Sequence, residues 1–522
     1  MITGKNYIGN ELSAQGFITY KTINPETNSK NETIFFEATK EEVDKAMELA
    51  TTAFKTYKKT SDLLKAEFLE AIASEMEAIK EDLIEIYIKE SGLPAGRAKG
   101  EFARTTVQLR SFATMLREGS YVEVIIRKSE EKFDIRRMLI PIGPVAVFGA
   151  SNFPFAFSTA GGDTASALAA GCPVVVKSHP MHAGTGELVS SAIIKAAKIT
   201  EMPNGVFSNL NSSGIEIGKV LVQHPGIKAV GFTGSFNGGM ALFKIAADRK
   251  EPIPVYAEMG SINPVVVLPS ALKSKGKYWA EQYASSITQG TGQFCTTPGL
   301  ILGISGNDFD NFISILNERI KETEPTCMLH PSIKKKYDEM KSNVLSQMKS
   351  NDIGNLGKNV KENYAQPNII TVEGADFLEN KTFHKEVFGP FSVIVQCEDK
   401  EELIEILQNL DGQLTGTVLS ENPLELEEYA EATEALKDSV GRIIFNSVPT
   451  GVEVCAAMTH GGPFPASSDS KFTSVGLTAV KRWIRPVSYQ DWPNALLPEA
   501  LKNKNPLGIF RSVNGEMTKN IL

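Results

Sequence analysis

Residues 144–150, PVAVFGA, and residues 173–177, PVVVK, are two short apolar runs that each start at a proline. Their apolar residues follow one another without alternation, which is typical of strands buried on both faces of a parallel sheet. A third run, AVGFTG at 229–234, comes later, and helical stretches lie between the runs. Strands that alternate with helices predict an α/β domain.

A second α/β series follows the first along the chain. It contains NPVVVLP at 263–269, SVIVQCED at 392–399 and RIIFNSV at 442–448. At about 150 residues per domain, a chain of 522 residues exceeds what a single core can support. We therefore predict two α/β lobes, with the break between them near Glu258.

The segments outside these lobes predict helices and a hairpin. Residues 40–118 carry amphipathic helical runs, and Thr39 with Glu42 forms the pattern of a capping box. Residues 121–140 alternate around a charged turn at Ser129–Lys132, as a β-hairpin does. The tail after residue 480 is broken by prolines, and we expect it to wrap a neighbour rather than form a domain.

The composition excludes several classes of function. The net charge is −8 with scattered Lys and Arg, so the chain has no basic face for nucleic acid. The N-terminus has no apolar signal region, and no run approaches the roughly 18 apolar residues that span a bilayer. We therefore expect a cytoplasmic protein with neither a nucleic-acid nor a membrane partner.

Cysteine and histidine usage predicts neither a disulfide framework nor a metal centre. The five cysteines are far apart and include no C-x-x-C pair. The six histidines include no H-E-x-x-H and no evident ligand cluster. We therefore expect no metal.

Cys295 is the exceptional cysteine, because it stands in QGTGQFCTTPG at 289–299. Glycines on both sides allow a ligand to approach the backbone, and such a thiol is a candidate nucleophile. An ordinary half-buried cysteine is the alternative. Cys172 and Cys397 adjoin apolar strands and are interpreted as structural.

Two further residues could assist such a nucleophile. Glu258, in VYAEMGS at 255–261, lies before a Val-rich strand, where burial should raise its pKa toward that of a general base. Asn152 follows the strand that ends at Gly149, and its amide could donate to an oxyanion. A locally paired glutamate and a turn asparagine are the alternatives.

Two stretches suit a dinucleotide. Lys177 stands at a predicted strand end, where ligands bind in open α/β sheets. The segment AVGFTGSFNGGMALFKIA at 229–246 runs from a strand through a Gly-rich turn into a helix, which suits a phosphate group. The turn lacks the G-x-G-x-x-G pattern, so by itself it is a weak signal.

Six motifs in order along the chain resemble the NAD(P)-dependent aldehyde dehydrogenase superfamily over essentially the whole length. These are SNFPF (151–155), VVVKSHP (174–180), FTGS (232–235), AEMGSINP (257–264), GQFCTTPG (292–299) and EVFGP (386–390). Within the superfamily, KSHPMHAGTGELV at 177–189 and HGGPFPASSDSKFTSVG at 460–476 resemble the α-ketoglutaric semialdehyde (2,5-dioxovalerate) dehydrogenase branch.

The resemblance implies a catalytic route through a thioester. Cys295 would attack the aldehyde carbonyl, and the Asn152 amide with the Cys295 N–H would hold the oxyanion. After hydride transfer to the nicotinamide, Glu258 would activate the water that hydrolyses the thioester. A CoA-acylating enzyme would not need Glu258, and a non-catalytic relative would be expected to lose Cys295 or Glu258.

The resemblance also implies a cofactor site. Lys177 would contact the adenosine ribose, and Gly234 and Ser235 would form the turn beside the pyrophosphate. Glu386 and Phe388 would surround the nicotinamide ribose. Where NAD-preferring relatives carry a glutamate, this chain has Pro180. With Lys177, Ser178 and His179 nearby, the expected cofactor is NADP, with NAD also accepted.

The implied architecture is two Rossmann-like parallel-sheet domains and a small β oligomerisation arm. The expected division is a cofactor domain (1–120 and 141–257), a catalytic domain (258–480) and an arm with tail (121–140 and 481–522). A homodimer or homotetramer is expected from that arm.

The implied substrate is 2-oxoglutarate semialdehyde, oxidised to 2-oxoglutarate, which calls for an arginine or amide donors to bind its carboxylate. A broad-specificity or fatty-aldehyde dehydrogenase is the alternative, because the candidate pocket walls are largely aromatic. These walls are Phe153, Phe155, Phe294, Phe464 and Pro465.

Overall fold

A computed structural model describes residues 2–129, 132–348 and 360–522. Residues 130 and 131 of the predicted turn at Ser129–Lys132 lie outside the described residues. Among the described helices, none combines the length and the apolar composition that a bilayer-spanning helix needs.

The described residues form fifteen α-helices, numbered in chain order. They are α1 (Lys40–Tyr57), α2 (Asp62–Ala78), α3 (Lys80–Ser91), α4 (Ala95–Glu118), α5 (Gly162–Ala170), α6 (Ala183–Ile199), α7 (Glu216–Gln223), α8 (Phe236–Ala247), α9 (Pro269–Thr288), α10 (Asn307–Glu322), α11 (Pro331–Leu345), α12 (Gly374–Glu379), α13 (Lys400–Gln408), α14 (Pro423–Glu428) and α15 (Ala430–Ser439).

The same residues form 24 strands. They are β1 (Asn6–Ile8), β2 (Glu11–Ser13), β3 (Thr19–Tyr20), β4 (Ile23–Asn24), β5 (Ser29–Lys30), β6 (Phe35–Phe36), β7 (Ile125–Arg127), β8 (Ile135–Pro141), β9 (Val145–Phe148), β10 (Val174–Lys177), β11 (Phe207–Leu210), β12 (Ala229–Thr233), β13 (Val255–Glu258), β14 (Pro264–Val267), β15 (Leu300–Ile304), β16 (Thr326–Cys327), β17 (Tyr364–Ala365), β18 (Asn368–Glu373), β19 (Phe391–Cys397), β20 (Gln413–Leu419), β21 (Val440–Phe445), β22 (Ile484–Gln490), β23 (Arg511–Val513) and β24 (Glu516–Thr518).

The first large sheet has seven strands in the order β13-β12-β9-β10-β11-β1-β2. Strands β9 to β13 are parallel, and the N-terminal strands β1 and β2 add to the edge in antiparallel orientation. Every residue of β9 is buried, as its unbroken apolar run predicts. The long helices α2, α4 and α6 pack together beside this sheet.

The second large sheet has six strands in the order β18-β19-β15-β14-β20-β21, and all of its pairs are parallel. Because β13 belongs to the first sheet and β14 to the second, the change of sheet falls between Glu258 and Pro264. The prediction of an α/β fold with two parallel sheets is therefore confirmed.

The third sheet has five strands in the order β22-β8-β7-β23-β24. Strands β7 and β8 form the predicted hairpin, and β22 pairs with β8 over its full length. The tail thus pairs with the hairpin of its own chain, with which the sequence analysis grouped it in one arm, and the expectation that the tail wraps a neighbour stays a prediction. The division into domains stays a prediction.

Capping residues mark the start or the end of several helices. Thr39 and Glu42 form the predicted capping box at the start of α1, and Ser61 caps α2. Gly92 ends α3 with a φ of 63°, a left-handed conformation that glycine adopts without strain.

Candidate active site

The carboxyl ends of the strands of the first sheet carry five of the predicted catalytic and cofactor residues. Lys177 ends β10, and Gly234 and Ser235 follow β12. Glu258 ends β13 beside Thr233, the last residue of β12. Asn152 stands four residues after Phe148, which ends β9. Parallel strands bring their carboxyl ends to one edge, and ligands bind at that edge in open α/β sheets.

The amino ends of the second sheet carry the other predicted residues. Cys295 stands in the loop before β15, and Glu386 and Phe388 stand in the loop before β19. The active-site residues therefore come from the carboxyl edge of one sheet and the amino edge of the other.

Asparagine amides hold the loop that contains Cys295. The Asn263 Nδ2 donates to the carbonyls of Cys295 and Thr297, at 2.9 Å each. The Asn152 Nδ2 donates to the Gln293 carbonyl at 2.9 Å. An amide has two N–H groups, so Asn152 keeps one for a further acceptor. These contacts fix the backbone of the Cys295 loop.

Gly292 brings that loop against the EVFGP segment. Its φ is 61°, and a Cβ placed there would lie 2.3 Å from the Gly389 carbonyl oxygen. Only glycine fits such a close approach in this conformation. The two motifs are adjacent in space for this reason.

Three reactive side chains meet beside the loop. The Cys295 Sγ lies 3.4 Å from the His460 Nε2, which lies 2.9 Å from the Glu258 Oε1. The Cys295 sulfur, a ring nitrogen of His460 and a carboxylate oxygen of Glu258 all lie within 4.8 Å of one another. His460 is 1% exposed and Glu258 4% exposed, so water does not screen their interaction. A histidine-containing cluster was not expected from the sequence.

Glu258 differs from the prediction in its pKa. Burial alone would raise that pKa, but His460, the Ser474 hydroxyl and the Cys295 thiol lower it below its usual value. The Ser474 Oγ donates to the Glu258 Oε2 at 2.5 Å. The expected rise was wrong, because these donors stabilise the carboxylate more than burial destabilises it.

Cys295 is held as a thiol in this arrangement. Burial and the adjacent Glu258 carboxylate raise the pKa of Cys295 well above its usual value, and the Arg104 charge acts in the opposite direction. A sulfur in this state would need a proton acceptor in order to act as a nucleophile, and Glu258 and His460 lie beside it.

The residues predicted for the adenosine end lie together after β10. Burial lowers the pKa of Lys177 to about 8, and the described residues offer its Nζ neither a hydrogen bond nor an ion pair. The neighbouring Ser178 hydroxyl is buried, and it has no hydrogen-bond partner among the residues that the structure describes. His179 stacks on His182, and burial lowers the pKa of His179 far below its usual value. These groups fit a polar ligand such as a ribose.

Ser235 and Glu386 occupy the other predicted cofactor positions. Ser235 caps α8 by accepting from the Gly238 N–H, so the turn with Gly234 opens a helix N-terminus that suits a phosphate. Burial raises the pKa of Glu386 to about 7. A small cavity in front of β15 and β19 is lined by both Glu386 and Phe388, together with Phe294.

The aromatic residues predicted for the substrate wall separate into three groups. Phe153 and Phe294 stand 5.6 Å apart, edge to face, and both contact the Arg97 guanidinium. Phe155 is 0% exposed and packs on Tyr87 in the core, so its assignment as a wall residue was wrong.

Phe464 is 57% exposed and contacts Phe236 at the start of α8. This contact puts Phe464 and the adjoining Pro465 beside the predicted pyrophosphate turn, and their role as substrate walls stays a prediction.

Arg104, on α4, is a site residue that the sequence did not single out. Its Nε donates to the Val452 carbonyl at 3.4 Å, and its guanidinium lies 5.1 Å from the Phe157 ring centroid. Its Nη1 and Nη2 are buried and have no hydrogen-bond partner among the described residues. Its charge acts on both Cys295 and Glu258. A buried guanidinium with free donors is costly unless an anion completes it.

His460 and Ser474 were also missed as individual residues. Both lie in the segment 460–476 that carried the resemblance to one branch of the superfamily. The Ser474 N–H donates to the His460 carbonyl, and the His460 N–H donates to the Thr473 hydroxyl. That segment was therefore the available signal, although its contact with Glu258 could not be read from it.

The sequence model of the aldehyde dehydrogenase family matches residues 12–467, and the chain belongs to this family. Over 99% of both chains it is 43% identical to an alpha-ketoglutaric semialdehyde dehydrogenase of Acinetobacter baylyi. It is 45% identical, again over 99% of both chains, to alpha-ketoglutaric semialdehyde dehydrogenase 2 of Azospirillum brasilense.

Solved structures share the fold at lower sequence identity. A 1-pyrroline-5-carboxylate dehydrogenase superposes with a TM-score of 0.81 at 22% identity, covering 93% of this chain and 92% of that one. A betaine aldehyde dehydrogenase of Staphylococcus aureus superposes with a TM-score of 0.81 at 19% identity, covering 94% and 98%. The predicted family and fold are confirmed.

Proposed function

We propose that this aldehyde dehydrogenase oxidises 2-oxoglutarate semialdehyde to 2-oxoglutarate with NAD(P)+, through a thioester on Cys295. The observation that carries the chemistry is the buried contact of Cys295, His460 and Glu258. The two relatives named for this semialdehyde, each similar over its full length, support the substrate.

The side chains can perform the addition step as follows. The Cys295 sulfur attacks the carbonyl carbon, and its proton passes to the adjacent Glu258–His460 pair. The free N–H of the Asn152 amide donates to the oxygen that becomes negative. A donor aimed at developing charge contributes about 3–4 kcal/mol to the barrier reduction.

The hydrolysis step uses the same base. A bound nicotinamide cofactor would supply the acceptor for the hydride of the substrate carbon. Once the proton taken from Cys295 has passed from the Glu258–His460 pair to solvent, Glu258 takes a proton from water and the water oxygen bonds to the acyl carbon. The C–S bond then breaks and this second proton passes to the sulfur, which gives the carboxylic acid and the Cys295 thiol. The Ser474 hydroxyl holds the Glu258 carboxylate in place during this step.

Arg104 supports a substrate that carries a carboxylate. Arg97 already donates to the Asn152 carbonyl at 3.2 Å and pairs with Glu101 at 3.5 Å, so two of its nitrogens are engaged. The free donors of Arg104 match the two oxygens of a carboxylate. An alkyl aldehyde would leave them unpaired.

Initial rates with 2-oxoglutarate semialdehyde, succinic semialdehyde and hexanal test the proposal. We expect Cys295→Ala to abolish all turnover. Charge-assisted hydrogen bonds contribute about 1.5–3 kcal/mol, so Arg104→Met should lower kcat/KM for the oxo-acid semialdehyde by about tenfold or more and spare hexanal. Arg110→Met is the matched control, because Arg110 lies on the same helix and pairs with Glu77 at the surface.

Two outcomes would change the assignment of the substrate or of the residue that binds its carboxylate. Equal losses for hexanal and for the oxo-acid semialdehyde in Arg104→Met would remove Arg104 as the carboxylate ligand. Better turnover of hexanal by the unaltered enzyme would favour the fatty-aldehyde alternative.

We further propose that NADP is preferred and NAD accepted. Position 180 is a proline, so it offers no carboxylate to repel a 2′-phosphate, and Lys177 supplies a positive charge that only the more distant Glu37 carboxylate influences among the described residues. His179 is neutral near pH 7, so it offers a hydrogen bond and no charge. Pro180→Glu should shift the kcat/KM ratio toward NAD, and an unchanged ratio would refute the argument.

The remaining expectations belong to the same proposal. The third sheet, built from the hairpin and the tail, is the proposed oligomerisation arm, which would join protomers into a dimer or tetramer. The cofactor and catalytic domains would contain the first and second sheets. A cytoplasmic location stays a prediction.

A further inference from the structure

We propose that Cys295, His460 and Glu258 form a zinc-binding site whose occupation reversibly inactivates the enzyme. That inactivation rests on the proposed catalytic roles of Cys295 and Glu258. The binding of the metal rests only on the arrangement of the three side chains.

The geometry is close to that of a zinc site. Bonds of about 2.3 Å to sulfur and about 2.0–2.2 Å to nitrogen or oxygen, at tetrahedral angles, put ligand atoms roughly 3.3–3.6 Å apart. The Cys295 Sγ and the His460 Nε2 are 3.4 Å apart, and the His460 Nε2 and the Glu258 Oε1 are 2.9 Å apart. The sulfur and the carboxylate complete a set within 4.8 Å. Small rotations of the side chains suffice to receive the ion.

The types of ligand select the metal. A thiolate, an imidazole and a carboxylate together suit zinc, while magnesium and calcium require oxygen ligands. Three protein ligands also leave one tetrahedral position for water.

The surroundings hold two of the ligands in position. The Ser474 Oγ donates to the second oxygen of Glu258, and the backbone N–H of His460 donates to the Thr473 hydroxyl. The His460 Nδ1 has no hydrogen-bond partner among the described residues. A ligating histidine normally donates its other N–H, so we expect weaker binding than in a structural zinc site. The metal should therefore exchange.

Binding uses up the groups that catalysis needs. The Cys295 thiol loses its proton to the buffer as the Zn–S bond forms, and no oxidation occurs. The sulfur lone pair and the Glu258 carboxylate are then bound to the metal, so neither attack on an aldehyde nor activation of water can proceed.

Calorimetric titration of the full-length enzyme with zinc chloride, in a chelator-free buffer, tests the site directly. We expect one zinc per chain, release of about one proton when buffers of different ionisation enthalpy are compared, and reversal by EDTA. Cobalt(II) should give a thiolate-to-metal absorption band in the near ultraviolet. His460→Gln should weaken zinc binding at least about tenfold.

Cys455→Ser is the matched control, because Cys455 is the other half-buried cysteine of the described chain and lies outside the cluster. It should leave zinc affinity and the cobalt band unchanged. Unaltered zinc affinity in His460→Gln, or loss of the cobalt band in Cys455→Ser, would overturn the site. Zinc bound at the cluster without loss of aldehyde oxidation would instead overturn the catalytic roles.

Discussion

Glu258 and Glu386 are two largely buried carboxyl groups that both act on Cys295, and their pKa values move in opposite directions. Glu258 is surrounded by His460 and Ser474, and its pKa lies below the usual value. Burial raises the pKa of Glu386 to about 7, opposed only by the Lys336 charge and the Ser261 backbone N–H.

The difference teaches that burial alone does not set the state of a carboxyl group. Desolvation raises the pKa of both glutamates, and the number of donors then decides the outcome. Glu258, the proposed base, is ionised at neutral pH because His460 and Ser474 place donors beside its carboxylate. Glu386, which is predicted to bind the cofactor, has fewer donors beside it, and its pKa is raised to about 7.

The test of this contrast with the largest expected effect measures kcat. Glu258→Gln should lower kcat by about 10²–10⁴, the range for loss of a general base. Glu386→Gln keeps an acceptor for a ribose hydroxyl, so we expect kcat within about tenfold and a higher KM for NAD(P). Steady-state kinetics at pH 8 distinguish the two, and equal losses of kcat would contradict the assignment of the base.

The second test uses folding stability. The Glu386 pKa is raised in the folded state, so its contribution is complete below the unfolded value of 4.5 and is lost as pH rises through about 7. Glu386→Gln should therefore gain stability relative to the unaltered enzyme between pH 5 and pH 8, by at most about 3 kcal/mol.

The Glu258 pKa is lowered, so its contribution is present above the usual value and is lost only in acid. The melting temperature of Glu258→Gln should accordingly lie below that of the unaltered enzyme throughout the range from pH 6 to pH 8. If the melting temperatures of the two variants, each relative to the unaltered enzyme, changed with pH in the same way, the two carboxyl groups would not differ.

The smallest expected effect is on thiol reactivity. The Glu258 charge raises the pKa of Cys295 more than the Glu386 charge does. Glu258→Gln should therefore increase the rate of Cys295 alkylation by iodoacetamide at pH 8 about tenfold, and Glu386→Gln should increase it less. Peptide mapping identifies the alkylated cysteine. A slower reaction in Glu258→Gln would mean that Glu258 removes the thiol proton in the resting enzyme.

Much of the molecule could be predicted from local sequence. The Val-rich runs form buried parallel strands, and the capping box at Thr39 starts α1, because both depend on neighbours in sequence. Cys295 and Glu258 were recognisable because glycine-rich turns and apolar strands surround them.

The errors came from contacts between distant segments. Phe155 sits in a motif beside Asn152, yet its side chain turns away to pack on Tyr87. The tail strands could not be assigned, since a strand such as β22 acquires its partner only when β8 is in place.

By itself, the sequence determined the α/β class and indicated a candidate nucleophile and a candidate base, because each is encoded by a short stretch of chain. Only the tertiary structure decided the ionisation of Glu258 and which side chains surround the Cys295 thiol. The Ser474 donor is 216 residues from Glu258, and His460 is 165 residues from Cys295. Such contacts form only when the carboxyl edge of one sheet meets the amino edge of the other, and a pKa depends on the groups within a few ångströms of the atom that titrates.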